Sequence, residues 1–297
     1  MDFRPDHLSD IIGQEPAKRQ LCSAFLQRRN ILIIGPPGVG KTTLARNVAK
    51  VMGKDAPFVR IQGSPDLSAE DLLGDIDPIK AMKFGPRSKE AFTPGKIFKA
   101  NGGVLFFDEI NRCPEKVQNA LIQALQEKKA TIGSYDIDLD ADFLFIGTMN
   151  PEDSSTEKLS DVFLDRFDVI FLGYPESERD EISIVKAKGK SLPVVFPDDL
   201  LHKSVQFVRS LRTDKDIEKK PSVRASIGLY ERAQANAELS RAKAVSLEHV
   251  QEAIVSVLSH RIRLKPSLKY IADPVTYVRE RAADFFERNA PRIGDGP

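Results

Sequence analysis

ILIIGPPGVGKTTLARNVAKVM, residues 31–52, contains the pattern that decides the fold. The four apolar residues at 31–34 predict a buried strand that ends at a glycine-rich turn. Beyond the turn, Leu44, Val48 and Val51 recur at helical spacing, which predicts a helix with one apolar face. GPPGVGKT therefore lies between a strand and a helix, which is the context that a phosphate-binding loop of the pattern G-x-x-x-x-G-K-[ST] requires.

In a loop of this kind, glycines let successive backbone N–H groups converge on phosphate oxygens, and the next helix directs its positive dipole end at them. We predict that Lys41 contacts the β- and γ-phosphates of a nucleotide and that the Thr42 hydroxyl ligates Mg²⁺. The alternative is a Gly/Pro turn that carries Lys-Thr by chance, and it does not account for the strand and helix on either side. The predicted nucleotide-binding residues of the loop are Gly35, Pro36, Pro37, Gly38, Val39, Gly40, Lys41, Thr42 and Thr43.

A second apolar run, VLFFDEINR at 104–112, leads directly into two adjacent acids, Asp108 and Glu109. Neighbouring carboxylates beside a core repel each other and lose hydration, so they need a cation. The magnesium of a bound nucleotide would supply it. Asp108 is then placed to bind Mg²⁺, and Glu109 to orient or activate a water for attack on the γ-phosphate. The alternative is a pair of surface carboxylates that cap the following helix.

Further apolar runs alternate with helical segments up to about residue 175. They are FVRIQGS (58–64), GVLFF (103–107), DFLFIGTMN (142–150) and DVIFLGYP (168–175). Such strands predict an α/β fold whose parallel sheet is covered by helices on both faces. Ligands of these sheets bind at the carboxyl ends of the strands, and GPPGVG, the acidic pair and Asn150 all fall at that edge.

After residue 176 only helical periods recur, which predicts a smaller all-helical domain. Its charged segment 212–220 is interpreted as a solvent-exposed loop. Ser222 is predicted to be the N-cap of a helix, which places Arg224 in the first turn, where a cation opposes the helix dipole unless an anion compensates it. The predicted division is 1–175 for the nucleotide-binding domain, 176–286 for the helical domain and 287–297 for a disordered tail.

Composition argues against several other classes of protein. Lys and Arg number 44 against 43 Asp and Glu, a net charge of +1 that disfavours a strongly basic nucleic-acid-binding face. Two cysteines and four scattered histidines make a zinc centre or a disulfide scaffold improbable. The sequence also contains neither a membrane-length apolar run nor the apolar core of a signal peptide at its start, so we expect a cytoplasmic protein with no membrane partner.

GPPGVGKTTLA, FFDEINR, FIGTMNP and FLDRFD, in this order, resemble the AAA+ ATPases. They resemble most closely the branch that contains the MoxR ATPases and the ATPase subunit of magnesium chelatase. The similarity extends from DIIGQE at 10–15 to SHRIR at 259–263. It implies a homo-oligomer, a hexameric ring that binds ATP and Mg²⁺ between subunits. The phosphate loop is that of MoxR, whereas SHRIRLKP is closer to the chelatase subunit.

The resemblance also implies roles for three residues beyond Glu109. Asn150 matches the sensor asparagine that positions the attacking water; the alternative is an Asn-Pro turn. Arg166 matches the arginine finger that reaches a neighbouring subunit's γ-phosphate; the alternative is an ion pair with Asp165 or Asp168. Arg224 matches the second sensor arginine of the helical domain, with a solvated side chain as its alternative. Arg112 either adds a contact across the interface or lies on a helix surface.

Two insertions fit the same branch. Residues 64–98 correspond to its helix-2 insertion, and 127–143 alternate apolar and polar residues about Gly133–Ser134, which predicts a hairpin before the next strand. The tip carries Tyr135 and Asp136, whereas basic residues are expected there in a ring that moves DNA. The hairpin tip therefore disfavours nucleic acid as a partner.

Three functions remain open on the sequence alone. The first is a chaperone-like motor that matures, loads with metal or cofactor, or activates a client protein, together with a partner that has a von Willebrand A-type domain. The alternatives are a magnesium-chelatase-type motor subunit and a DNA helicase or branch-migration motor, which DNA would stimulate in a salt-dependent way. A non-hydrolysing scaffold is disfavoured by the intact Glu109.

Overall fold

The structure is a computed structural model that describes residues 3–53, 55–85, 88–132, 135–151, 159–268 and 272–288. The chain divides into two compact units, 1–173 and 174–297. The division falls where the sequence pattern changes from alternating strands and helices to helices alone. None of the described helices is both long and apolar enough to cross a lipid bilayer.

The first unit contains a central five-stranded sheet and two short antiparallel pairs. Its strands are β1 (Ile31–Ile34), β2 (Phe58–Gln62), β3 (Gly74–Ile76), β4 (Phe92–Pro94), β5 (Val104–Asp108), β6 (Lys129–Ile132), β7 (Tyr135–Asp140), β8 (Leu144–Met149) and β9 (Asp168–Phe171). The central sheet has the order β2-β5-β8-β1-β9, and all its neighbouring strands are parallel. This confirms the predicted parallel α/β architecture.

Helices cover both faces of this sheet. The helices of this unit are α1 (Glu15–Leu26), α2 (Lys41–Met52), α3 (Ala69–Leu73), α4 (Pro78–Phe84), α5 (Lys96–Lys99), α6 (Glu115–Glu127) and α7 (Asp161–Leu164), of which α4 has no buried residue. Alternate residues of β1 explain the two cores: Ile31 and Ile33 pack in a cluster with α1 and α2, whereas Leu32 packs in a second cluster with α6. Strands buried in this way must be apolar at every position, as the sequence is.

The two insertions form small elements of their own. The segment 64–98 contains α3, α4 and most of α5, with β3 and β4 paired antiparallel between them. In the predicted hairpin, β6 and β7 pair antiparallel, while the tip at 133–134 lies outside the described residues.

The second unit is mainly helical. Its elements are α8 (Glu178–Lys188), α9 (Asp198–Thr213), β10 (Ile217–Lys219), α10 (Val223–Leu239), α11 (Leu247–Leu258), β11 (Arg263–Leu264) and α12 (Pro274–Arg288). The prediction of an all-helical domain missed the antiparallel pair β10–β11, because strands of two or three residues carry no readable alternation. The helix α12 continues to Arg288, past the predicted start of the tail, and the rest of that tail, 289–297, lies outside the described residues.

A buried ion pair joins three helices of this unit. Glu181 of α8 is fully buried, and both its carboxylate oxygens accept hydrogen bonds from Arg212 of α9, at 2.7 and 2.6 Å. Arg209 of α9 and Ser226 of α10 also donate to this carboxylate. The interpretation of 212–220 as an exposed loop is therefore wrong at its start, where Arg212 is buried as the partner of Glu181, and at 217–219, which form β10.

Candidate nucleotide-binding site

The phosphate-binding loop connects β1 to α2, as predicted. Gly38 and Gly40 have φ angles of 77° and 100°, which are in the region that favours glycine. The loop also passes very close to its neighbour after β9, because a Cβ at Gly35 would lie 2.2 Å from the carbonyl oxygen of Leu172. The glycines therefore determine the course of the backbone at both ends of the loop.

The start of α2 has the two features that bind a phosphate group: uncapped backbone N–H groups and a nearby positive charge. Gly40 is the N-cap and has no side chain with which to cap the helix, so side-chain capping does not compete for the N–H groups of the first turn. Lys41 Nζ donates to the carbonyl oxygens of Gly35, at 2.6 Å, and Pro36, at 2.9 Å. A phosphate anion would offer this ammonium stronger, charge-assisted hydrogen bonds than these neutral carbonyls do.

Asp108, the last residue of β5, is already paired with a cation in the structure. Its Oδ2 lies 2.7 Å from Nη2 of Arg60 on the neighbouring strand β2, and its Oδ1 accepts a 2.6 Å hydrogen bond from the Thr148 hydroxyl on β8. The carboxylate is thus held from both sides at the carboxyl end of the sheet. Arg60 is therefore one cation that compensates the negative charge of Asp108.

Glu109 adopts a left-handed backbone conformation, with φ 55° and ψ 51°, which is unusual for a residue other than glycine and is concentrated at functional sites. Its side chain accepts a 2.9 Å hydrogen bond from Gln62 and lies 3.1 Å from Arg112. Arg112 thus pairs with the acid beside it, which neither of the two alternatives for this residue anticipated. A Cβ at Gly63 would lie 2.1 Å from the carbonyl oxygen of Glu109, so only glycine lets β2 approach this turn.

Thr148 is a functional candidate that sequence reasoning missed. Its fully buried hydroxyl donates to Asp108 and accepts the backbone N–H of Glu109, at 3.0 Å. One side chain on β8 therefore positions both acids. The available signal was a lone hydroxyl residue in an otherwise apolar strand, two positions before Asn150.

We expect Thr148→Val to destabilise the protein by about 1–3 kcal/mol, because the isosteric side chain leaves a buried N–H and a carboxylate oxygen without their hydrogen bonds. The same variant should need a higher Mg²⁺ concentration for half-maximal turnover, because Asp108 loses the group that orients it. Urea unfolding and a magnesium titration of the rate would measure the two effects. Thr93→Val, at an exposed strand position, is the control; equal behaviour of the two variants would contradict the role of Thr148.

The predicted asparagine lies between the acidic pair and the loop in the order of the strands. Asn150 follows the end of β8, which is flanked by β5 on one side and by β1 on the other. The backbone N–H of Gly35 donates to the carbonyl oxygen of Met149, at 3.2 Å, and Asn111 donates to the carbonyl oxygen of Asn150, at 3.4 Å. The structure therefore brings the loop, the acids and Asn150 together at one sheet edge.

Arg166 lies in the same unit, two residues after the end of α7, and is partly exposed. Its guanidinium donates to the carbonyl oxygen of Val162 and, with the Gln126 amide oriented towards it, to that amide oxygen at 2.7 and 3.2 Å. The alternative of an ion pair does not apply within the described residues: Asp168 pairs with Arg29 instead, at 3.1 Å. The guanidinium is thus held by neutral groups, which do not compensate its positive charge.

Arg224 belongs to the second unit, whereas the loop, the acidic pair and Asn150 belong to the first. It is the second residue of α10 and is exposed. Ser222 occupies the predicted N-cap position, but its side chain makes no capping hydrogen bond. The cation in the first turn is therefore as predicted, whereas the hydroxyl cap is not.

The donor groups of the site fit a magnesium–nucleotide complex. Mg²⁺ prefers oxygen ligands, and the Asp108 carboxylate and the Thr42 hydroxyl are of that kind. That Asp108 attracts a cation is visible in its contact with Arg60. The glycine-lined loop, with Lys41 at its end, supplies the N–H groups and the charge for phosphates.

Comparison with known proteins gives a consistent result. Residues 30–167 match the family of the AAA domain (dynein-related subfamily), and residues 209–276 match the AAA lid domain. Uncharacterized protein YeaC of Bacillus subtilis is 30% identical, over 89% of this chain and 87% of its own length. Chaperone MoxR1 of Mycobacterium tuberculosis is also 30% identical, over 86% and 73%. The structure of the Thermotoga maritima RuvB Holliday junction branch migration motor shares the fold, with 23% identity, coverage of 86% and 73%, and a TM-score of 0.56.

Proposed function

Because this chain belongs to the AAA+ ATPases, in the branch of MoxR and the magnesium-chelatase subunits, we propose that it is the ATP-driven motor of a ring that remodels a client protein. The observation that carries the proposal is the acidic pair. Asp108 is held with a cation at the carboxyl end of β5, and Glu109 is held beside it by Gln62 and Arg112. A carboxylate so positioned next to a metal ligand suits the activation of water.

In this proposal each residue of the site has one task. The phosphate loop and Lys41 bind the phosphates, while Thr42 and Asp108 hold Mg²⁺, which neutralises charge on the β- and γ-phosphates. Glu109 orients the attacking water and accepts its proton, with Asn150 fixing the position of that water. Arg166 acts on the nucleotide of the adjoining subunit, and Arg224 senses the γ-phosphate from the helical domain.

The client-directed part of the proposal is supported by the insertion at 64–98. Its helix α4 has no buried residue, and two apolar side chains on it, Ile79 and Met82, are 80% and 90% exposed. Ile79 and Met82 are three residues apart and so lie on one face of the helix, and contiguous exposed apolar surface marks protein-interaction sites. The chaperone name of the relative MoxR1 favours a protein client, and a partner with a von Willebrand A-type domain is the collaborator that the branch suggests.

The ring is tested by mixing two inactive variants. Lys41→Ala removes the phosphate ligand from a subunit's own loop, and Arg166→Ala removes the residue given to the neighbour. Random mixing in equal amounts would create an intact site at about one interface in four, because each intact site needs one subunit of each kind in the right order. We therefore expect turnover to reappear in the mixture, measured as phosphate release.

The control is the same mixing experiment with Lys41→Ala and Glu109→Gln, which both damage the site from the same subunit and should not complement each other. If a strictly monomeric protein turned over ATP at full rate, or if the first mixture stayed as inactive as its components after subunit exchange, a shared site would be contradicted.

A further inference from the structure

The backbone of Arg166 is anchored by two buried phenylalanines. Phe163 lies in the one-turn helix α7, and Phe167 follows Arg166 directly. Their rings pack against each other, with centroids 4.8 Å apart, in the core cluster that contains residues of α6. The backbone N–H of Arg166 also donates to the carbonyl oxygen of Phe163, at 3.3 Å. The core thus fixes where this side chain begins. Because Arg166 is partly exposed and its side chain has many rotamers, other groups must fix the direction of its guanidinium.

The guanidinium of Arg166 binds Gln126, an exposed residue of α6. The amide oxygen of Gln126, turned towards Arg166, accepts hydrogen bonds from Nε at 3.2 Å and from Nη2 at 2.7 Å. The opposite orientation of the amide would set its N–H groups against those of the guanidinium. Ala124, two residues before Gln126, is fully buried in the same core cluster as Phe163 and Phe167. The acceptor is therefore carried by a helix that is itself packed on the core.

These contacts occupy only part of the guanidinium group. Of its five N–H donors, Gln126 binds one on Nε and one on Nη2, and the carbonyl oxygen of Val162 accepts one from Nη1. Among the described residues Arg166 has no further acceptor, so one N–H remains on each of the two terminal nitrogens. Two N–H groups are the number that a bidentate contact with a phosphate needs.

The acceptor at position 126 is neutral, although an acid of the same length exists. A glutamate there would form an ion pair with Arg166, which would compensate its charge and compete with a phosphate for the same guanidinium. The chain does place a glutamate at the next position, Glu127. A neutral amide can fix the direction of the guanidinium while its positive charge stays uncompensated.

We propose that Gln126 is the positioning residue of Arg166: its amide holds one edge of the guanidinium, so that the remaining N–H groups are presented to the terminal phosphate of a nucleotide in the adjoining subunit. The inference rests on the proposed function, in which Arg166 acts on that nucleotide. It adds a residue that neither a motif nor the resemblance assigned. Gln126 does not contact the nucleotide itself and acts through Arg166 alone.

The test places a Gln126 substitution in one kind of subunit at a time. In the mixture of Lys41→Ala and Arg166→Ala subunits, every active site takes its phosphate loop from an Arg166→Ala subunit and its arginine from a Lys41→Ala subunit. Gln126→Glu in the Lys41→Ala subunit should lower the restored phosphate release about tenfold, because the new ion pair competes with the phosphate. The same substitution in the Arg166→Ala subunit, which has no arginine to position, should leave the restored rate unchanged.

Two further variants complete the experiment. Gln126→Met keeps the length of the side chain but has no amide oxygen, and it should lower the restored rate about threefold, again only in the Lys41→Ala subunit. Added salt should recover part of the loss caused by Gln126→Glu, since salt screens a partly exposed ion pair, and none of the loss caused by Gln126→Met. Gln251→Glu, at an exposed position of α11, adds the same charge elsewhere and is the control; it should have no effect in either subunit.

A purely structural role for Gln126 predicts the same loss in whichever subunit carries the substitution. That result, or an unchanged rate with Gln126→Glu in the Lys41→Ala subunit, would overturn the inference and leave the shared site of the proposed function standing. If the mixture shows no turnover even with Gln126 unaltered, the shared site is contradicted and the inference fails with it.

Discussion

Glu109→Gln is expected to lower ATP turnover by about 10²–10⁴-fold, the usual contribution of a general base, while ATP binding persists. The amide keeps the size and shape of the carboxylate, and its oxygen can still accept the hydrogen bond that Gln62 donates. It cannot take a proton from water, and it loses its ion pair with Arg112. Asp108, the phosphate loop and Lys41 are untouched, so the affinity for Mg²⁺–ATP should change little. Phosphate release at saturating ATP and fluorescence titration of the nucleotide would measure the two quantities separately.

The matched control is Glu115→Gln, an exposed glutamate at the start of α6, which should turn over ATP at the wild-type rate. Loss of turnover in both variants, or in neither, would contradict a catalytic role for Glu109. A variant that binds but does not hydrolyse ATP should also retain its client longest. Affinity purification of Glu109→Gln with ATP, followed by mass spectrometry, would therefore identify the protein on which the motor acts.

Glu181→Gln should be the most destabilising single substitution considered, at about 3–5 kcal/mol, because it removes one partner of a buried ion pair and leaves Arg212 without its counter-charge. The carboxylate is fully buried, and the network around it joins α8, α9 and α10. Urea unfolding, followed by a signal from the second unit, would measure the loss. Glu252→Gln, an exposed glutamate of α11, is the control and should be nearly neutral. A difference below about 1 kcal/mol would mean that solvent or other groups compensate Arg212.

The same pair predicts how stability depends on pH. Burial raises the pKa of Glu181. The hydrogen bonds and positive charge of Arg212, together with the hydrogen bonds from Ser226 and Arg209, outweigh the effect of burial and lower the pKa below the ordinary glutamate value. A carboxyl group whose pKa is depressed by folding stabilises the protein above its unfolded pKa, and this contribution is lost as the pH falls towards the folded pKa. Below the ordinary glutamate pKa of 4.5, wild-type protein should therefore lose stability more steeply than Glu181→Gln does as the pH falls.

Much of the sheet and its edge could be predicted from the sequence, because local patterns encode them. Each strand is an apolar run, and the loop after β1 and the acids after β5 directly follow such runs. The contacts that position the two acidic side chains, in contrast, are not encoded in local patterns. Arg60 and Gln62 reach the acids from β2, and Thr148 reaches them from β8, 40 residues along the chain from Asp108. Only the register of parallel strands brings these residues together, and no spacing within one strand contains that register.

The buried pair in the second unit was missed for a related reason. Arg212 opens a charged segment, and charge in a short stretch of sequence indicates exposure. Its partner Glu181 lies 31 residues earlier, on another helix. The local sequence does not indicate that Arg212 is buried, because the carboxylate that compensates its charge lies on another helix.

The strand β2 has one further property. It carries both Arg60, which binds Asp108, and Gln62, which binds Glu109, and it ends directly before the insertion that begins at residue 64. If Asp108 held a metal ion as proposed, Arg60 would have to release or share that carboxylate, and a water bound to Glu109 would compete with Gln62 in the same way. Occupation of the proposed site would then weaken two contacts of the same strand, β2, which the insertion at 64–98 follows directly.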